Sequence, residues 1–199
     1  MNISPNDFKK LGIDESNLDE KAEQTTYKIR YVARYVRQWV RIEANRKEIQ
    51  QINFIDCMCN AGVYKDGDAC TALEVIEDFN GLAKQFPSKK FVVYLNDIDK
   101  ERIKIFDKIY QKYILPQKSS NLRVHSKNKD VNDYLDMIAA DSQNKQGLFA
   151  YGKCNLIYVD PYNFGTVQIS KLHAILENNY CELLFNLFTL SLIHISEPT

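Results

Sequence analysis

No apolar run in this chain approaches the roughly 20 residues that a membrane-spanning helix needs, and the polar opening Met1-Asn2-Ile3-Ser4-Pro5 is unlike a signal peptide. Glycine is scarce, seven in 199 residues, and forms neither a Gly-x-Gly-x-x-Gly nor a Gly-Lys-Ser/Thr sequence. The first absence argues against a pyrophosphate-binding dinucleotide site, and the second excludes a P-loop. Net charge is missing too: 26 Lys and Arg balance 26 Asp and Glu. Overall charge therefore predicts neither a nucleic-acid nor a membrane partner, which leaves that role to local clusters. Five cysteines, an odd count without a secretion signal, predict reduced thiols in the cytoplasm. Cys57, Cys59 and Cys70 have neither a Cys-x-x-Cys nor a His partner to complete a tetrahedral set, so buried thiols are expected and no metal. His125 and His173 have no recognisable nucleophile beside them.

What is present suits one domain with a sizeable core, 45% hydrophobic and 26% charged. The chain is organised around Phe54-Ile55-Asp56-Cys57-Met58-Cys59-Asn60-Ala61-Gly62-Val63-Tyr64. An apolar run from Ile52 to Ile55 ends in a carboxylate, small or αL-tolerant residues follow, and a helical pattern begins near Cys70. Strand, acidic corner, tight loop and helix are the parts from which an open α/β sheet builds a nucleotide-type pocket. Further strand-like runs at 91–95, 122–125, 155–159 and 182–187 alternate with helical patterns ending near Gln85, Tyr113, Ile138 and Asn178. The alternation predicts a Rossmann-like, doubly wound, mainly parallel sheet.

Residues 1–20 carry Asp7, Asp14, Glu15, Asp19 and Glu20 against Lys9 and Lys10, and Pro5 and Gly12 interrupt any long helix. A partly ordered polar leader over 1–19 is expected, ahead of the domain proper at 20–189. From about Glu20 to Gln50 a helix is expected whose apolar face joins Tyr27, Tyr31, Tyr35 and Trp39 to Val32, Val36 and Val40, with the aromatics read as core packing. Arg30, Arg34, Arg37 and Arg41 share another face: a solvated surface, or a phosphate-contacting stripe for a nucleic-acid substrate.

Four carboxylates fall at strand ends or just after them: Asp56, Asp97, Asp130 and Asp160. Each alone reads equally as a helix cap or surface acid. Together they point to a crevice at the carboxyl edge of the sheet. Without a dinucleotide fingerprint, that crevice suits a nucleoside lacking phosphates. Asp97 is expected at the ribose hydroxyls, Asp130 at the adenine amino edge, and the Asn60, Ala61 and Gly62 backbone close to the ligand.

The combination of Phe54-Ile55-Asp56, Asn60-Ala61-Gly62-Val63-Tyr64-x-Asp66-Gly67, Asn96-Asp97, Asn128-x-Asp130-Val131-Asn132-Asp133-Tyr134-Leu135 and Asp160-Pro161-Tyr162 resembles the three-Cys-motif partner protein (TcmP) family over about residues 20–188. That resemblance implies the fold of S-adenosylmethionine-dependent methyltransferases, S-adenosylmethionine as cofactor, and association with a separate three-cysteine protein; the cysteines here are not that motif. Asn60 stands where Gly is commoner, a substitution that αL-tolerant Asn permits, and Asn163 stands where relatives often have Gly. Asp160-Pro161-Tyr162 also resembles the Asp/Asn-Pro-Pro-Tyr/Phe segment of methyltransferases acting on base amino groups, without its second proline. There a carboxylate and a prolyl carbonyl accept hydrogen bonds from the amine, while the aromatic ring stacks on a flipped-out base. The resemblance makes Asp160, Pro161 and Tyr162 catalytic candidates, and Asp56, Asn60, Ala61, Gly62, Asp97 and Asp130 cofactor-binding ones. The plainer reading of 160–162 is a strand-terminating turn. For the whole chain the alternatives are a catalytically inactive member that docks a three-Cys-motif protein, or another nucleotide-dependent enzyme.

The final stretch, Leu190-Ser191-Leu192-Ile193-His194-Ile195-Ser196-Glu197-Pro198-Thr199, matches the translation of a transposon-type sequencing adapter. It is therefore expected to be foreign to the domain, whose C-terminal part would then be missing, leaving an exposed sheet edge and a poorly soluble chain.

Overall fold

In a computed structural model, the structure describes residues 2–163, 165–177 and 180–186. The adapter-like segment 190–199 and the expected strand end at Leu187 lie outside the described residues. The elements run α1 (Pro5–Lys10), α2 (Glu23–Asn45), β1 (Gln51–Asp56), α3 (Thr71–Gln85), β2 (Lys90–Asp97), α4 (Lys100–Ile109), β3 (Leu122–Asn128), α5 (Val131–Gln143), β4 (Lys153–Val159), α6 (Ile169–Leu176) and β5 (Cys181–Phe185). All four strand pairings are parallel, in the order β3-β2-β1-β4-β5. This is the doubly wound sheet expected from the alternation of apolar runs and helical patterns. Strand order reverses between β1 and β4, which are neighbours, and such a switch point opens a crevice at the carboxyl ends of the strands.

The core lies in two layers. On one face of the sheet α2, α3 and α4 pack with Ile52, Phe54, Leu95 and Leu156; on the other, α5 and α6 pack with Ile55, Ile157 and Val159. β1 and β4 are covered on both faces, so they read as continuous apolar runs rather than alternating ones. A polar pair sits between the central strands β1 and β4. Asn53 and Asn155 lie opposite each other in the β1–β4 register, both fully buried, and Asn53 Nδ2 donates to Asn155 Oδ1 at 2.8 Å.

Two expectations are corrected. The first 20 residues do not form a loosely ordered leader: Ile3, Phe8, Ile13 and Leu18 are buried in the larger core layer. Their near-regular spacing of five follows no helix or strand period, so periodicity gave no sign of burial. Along α2, the row Tyr27, Tyr31 and Tyr35 is not core; these residues are 57%, 74% and 44% exposed, and only Trp39 is buried. At 3.6 residues per turn the buried arc centres on Ile29, Val32, Val36 and Val40, and the tyrosine row falls on its solvent side. The N-cap position of α3 is Cys70, without a side-chain hydrogen bond. Among the described residues no helix is long and apolar enough to cross a membrane.

Candidate functional site

A cleft of about 420 Å³ opens at the carboxyl ends of β1 and β4. The strands contribute Asp56 and Tyr158, the turn after β4 contributes Asp160, Pro161 and Tyr162, and the loop after β1 contributes Asn60 and Tyr64. The start of α2 closes one wall with Thr25 and Lys28, and Asp19 stands at the rim.

The chemistry of the cleft is set by one cation among buried acids. Lys28 Nζ donates to Asp160 Oδ2 at 2.6 Å, and Asn186 Nδ2 donates to Asp160 Oδ1 at 2.6 Å. Asp56 is 1% exposed and receives the Met58 N–H at 3.1 Å. Burial pushes its carboxyl up to about 8; Asp160 and Asp97 reinforce the shift, and Lys28 opposes it. The Tyr158 hydroxyl, also lining the cleft, is buried, makes no hydrogen bond of good geometry, and has the Asp160 carboxylate and the Thr71 hydroxyl close by. A buried hydroxyl without a well-formed hydrogen bond is costly, and a ligand that satisfied it would recover that cost.

A hydrogen-bonded latch crosses the rim. Arg102 Nη1 donates to the Tyr162 hydroxyl at 2.7 Å, that hydroxyl donates to Asp19 Oδ2 at 3.1 Å, and Arg102 Nη2 donates to Asp19 Oδ1 at 2.8 Å. Asn60 Nδ2 also donates to Asp19 Oδ2, at 2.6 Å. The Arg102 guanidinium lies 5.8 Å from the Tyr162 ring centroid, so that ring, although 56% exposed, is held by its neighbours. Burial and Asp19 together outweigh Arg102 and push the Tyr162 phenol up to about 12.

The cleft thus brings together Asp56, Asn60, Asp160, Pro161 and Tyr162 from the sequence candidates. Ala61, Gly62, Asp97 and Asp130 are not among the residues lining it. Ala61 is fully buried, and Gly62 sits at φ +92° where an added Cβ would meet Phe106 at 3.1 Å; packing of the loop on the core therefore accounts for that glycine. Asn60 adopts the αL conformation at φ 62°. Its backbone N–H donates to Asp97 Oδ2 at 2.9 Å, and Asp97 Oδ1 receives the Asp99 N–H at 2.8 Å. Asp97 is 5% exposed, and burial raises its carboxyl against those two N–H groups. Asp130 is the N-cap of α5, accepting from the Asn132 N–H at 2.8 Å.

Sequence reasoning missed Lys28, Tyr158, Asp19 and Arg102 as parts of this site. Lys28 did leave a signal: it shares the i, i+4 row of Val32, Val36 and Val40, a charge on the buried side of an amphipathic helix. Asp19 and Arg102 left none, because their meeting depends on how distant segments fold over the rim.

No protein-family model and no curated protein matches the chain. Among solved structures it is similar to a methyltransferase from Geobacter sulfurreducens, with 10% sequence identity and a TM-score of 0.40 over 93% of this chain and 78% of that one. A likeness that distant carries no functional argument; the fold assignment rests on the strand order and parallel pairing.

Proposed function

We propose that the protein is an S-adenosylmethionine-dependent methyltransferase acting on an amine or another nucleophile. The observation that carries this reading is the convergence, at the β1–β4 switch point, of Lys28, Asp56, Asp160 and the buried Tyr158 hydroxyl. These groups fit the amino-acid end of the cofactor. Lys28 and the Tyr158 O–H are a cation and a donor for a carboxylate, and Asp56, whose buried carboxyl an ammonium group would draw down as Lys28 does, is an acceptor for that group. The cleft volume also falls in the usual small-molecule range of about 300–1,000 Å³. The strand-end reading of the sequence puts Asp97 and Asp130 at the nucleoside end, which on this proposal extends beyond the residues lining the cleft. S-adenosylmethionine held there would offer an electrophilic methyl group, the S–CH3 bond breaking to leave the neutral thioether. Asp160 accepts a hydrogen bond from the acceptor's N–H, orients its lone pair and provides an oxygen to which that proton can pass. Pro161 offers a carbonyl acceptor, and Tyr162 supplies the flat wall.

A second reading is favoured by one observation: both oxygens of Asp160 already hold partners, Lys28 and Asn186. On that reading the chain keeps the fold, has lost catalysis and docks a three-Cys-motif protein. Calorimetric titration of S-adenosylmethionine, with Lys28→Ala and Asp97→Ala variants beside the wild type, separates the two. Saturable binding weakened by both substitutions supports the methyltransferase. No binding to a cooperatively folded sample sinks it and leaves the docking role.

A further inference from the structure

The solvent side of α2 carries two parallel rows that the cleft does not use. Arg30, Arg34, Arg37 and Arg41 form one, all exposed, and span about 16 Å at 1.5 Å per residue. The exposed tyrosines Tyr27, Tyr31 and Tyr35 form the other, set beside the first around the helix. Arg30, Arg34 and Arg37 also line a groove of about 490 Å³ on the far side of the helix from the cleft, floored by Ile29 and Ala33. Acids temper part of this surface: Arg37 pairs with Asp78 at 2.7 Å, Lys21 pairs with Asp68, and Glu74 lines the groove. Within α2 itself the only acids are Glu23 at the first residue and the buried Glu43, so Arg30, Arg34 and Arg41 set the charge of this face, while Glu182 accepts from the Tyr35 hydroxyl at 2.6 Å at the far end of the tyrosine row.

Exposing three large aromatic rings on one helix face calls for a reason beyond solvation. A ridge of guanidinium groups beside a row of flat rings matches a polyanion that also presents stacking surfaces. Nucleic acid has both, and a single strand leaves its bases free to stack on tyrosine. In a duplex the bases are already stacked, and an acidic protein offers charge without the flat faces. We propose that the solvent face of α2 binds single-stranded nucleic acid, with Arg30, Arg34 and Arg41 meeting phosphates and Tyr27 and Tyr31 stacking on bases. Because Lys28, one turn from Tyr31, lines the cleft, a strand held on this ridge runs past the cleft mouth. That makes a nucleobase the acceptor class, a step that rests on the methyltransferase reading; the binding surface itself does not.

The test is fluorescence anisotropy with a labelled single-stranded oligonucleotide of about 16 nucleotides, the upper site size for this mode, at several salt concentrations. The wild type binds with affinity that falls as salt rises. Arg30→Ala/Arg34→Ala/Arg41→Ala lowers affinity at least 100-fold at low salt and reduces the logarithmic salt slope by about 2, near 0.7 for each phosphate no longer neutralised. Tyr27→Ala/Tyr31→Ala weakens binding tenfold or more. Melting of each variant confirms that it is folded. Lys28→Ala separates the two proposals, since it weakens S-adenosylmethionine binding and leaves the oligonucleotide in place. The proposal is overturned if the folded wild type shows no salt-dependent binding or if the arginine variant binds unchanged. Tyrosine substitutions without effect, tighter binding to duplex, or binding only to an acidic protein overturn it equally.

Discussion

Lys28 and Asp160, 132 residues apart in sequence, meet at 2.6 Å across the mouth of the cleft. The pair joins the start of α2 to the turn after β4, and its side chains remain only 27% and 17% exposed. It is therefore partly shielded from solvent, where an ion pair with hydrogen bonding counts for more than at the surface. It also places the one cation of the cleft beside Asp56, whose carboxyl it draws downward against burial.

Lys28→Met removes that cation while keeping the aliphatic stem. On the methyltransferase reading, S-adenosylmethionine affinity falls about 10- to 100-fold, matching the roughly 1.5–3 kcal/mol of a charged hydrogen bond. Calorimetry measures it directly; an unchanged affinity would exclude Lys28 from the ligand site.

Asp56 gives the protein an unusual pH dependence. Below about pH 4 its carboxyl is protonated in folded and unfolded chains alike. Between there and about pH 8 the unfolded chain releases the proton while the folded chain keeps it, so stability falls as pH rises through that window. The slope from this group reaches at most about 1.4 kcal/mol per pH unit. Asp56→Asn keeps an acceptor for the Met58 N–H and removes the slope. Denaturant melts from pH 5 to pH 8 should show the variant gaining on the wild type as pH rises; parallel curves would contradict this.

Gly67 ties the N-terminal segment to the core. It sits at φ +84°, its carbonyl accepts the Ile3 N–H at 2.8 Å, and an added Cβ would collide with the Ile3 carbonyl. Gly67→Ala should cost about 1–3 kcal/mol of stability. Amide exchange should quicken at Ile3 and through α1, where Phe8 is wholly buried. Exchange confined to the 62–70 loop would mean that the segment docks independently of Gly67.

The Asn53–Asn155 pair tests the polar seam of the sheet. Asn53→Ala strips Asn155 Oδ1 of its donor and is expected to cost about 1–3 kcal/mol. The double change Asn53→Leu/Asn155→Leu, which leaves neither amide to satisfy, should cost less than the sum of the two single changes. Thermal melts of the single and double variants decide it through their non-additivity.

Much of the architecture was legible in the chain. The apolar runs at 52–55, 91–95 and 155–159 became β1, β2 and β4 because strands covered on both faces need no alternation. Asp130 read correctly as a possible helix cap because capping depends on the backbone two residues away. Asn60 took the αL geometry that its small polar side chain tolerates. The site was legible only in part: acids at strand ends were visible, but which of them share a cleft was not. Asp56 and Asp160 line it, while Asp97 and Asp130 are taken up by backbone N–H groups nearby.

Local sequence therefore determined the order of elements and the Asp130 cap, which depend on residues within a few positions of one another, and the alternation of strands with helices made a parallel sheet the expected way to pair them. Tertiary structure alone decided that Tyr27, Tyr31 and Tyr35 face solvent, that Ile3 and Phe8 are core, and that Lys28, Asp19 and Arg102 converge on Asp160 and Tyr162. The physical reason is that burial and ion pairing are settled by which surfaces meet, and α2 had more than one apolar row to offer. Close packing of its valines against the sheet and α3 selected one row and left the tyrosines outside.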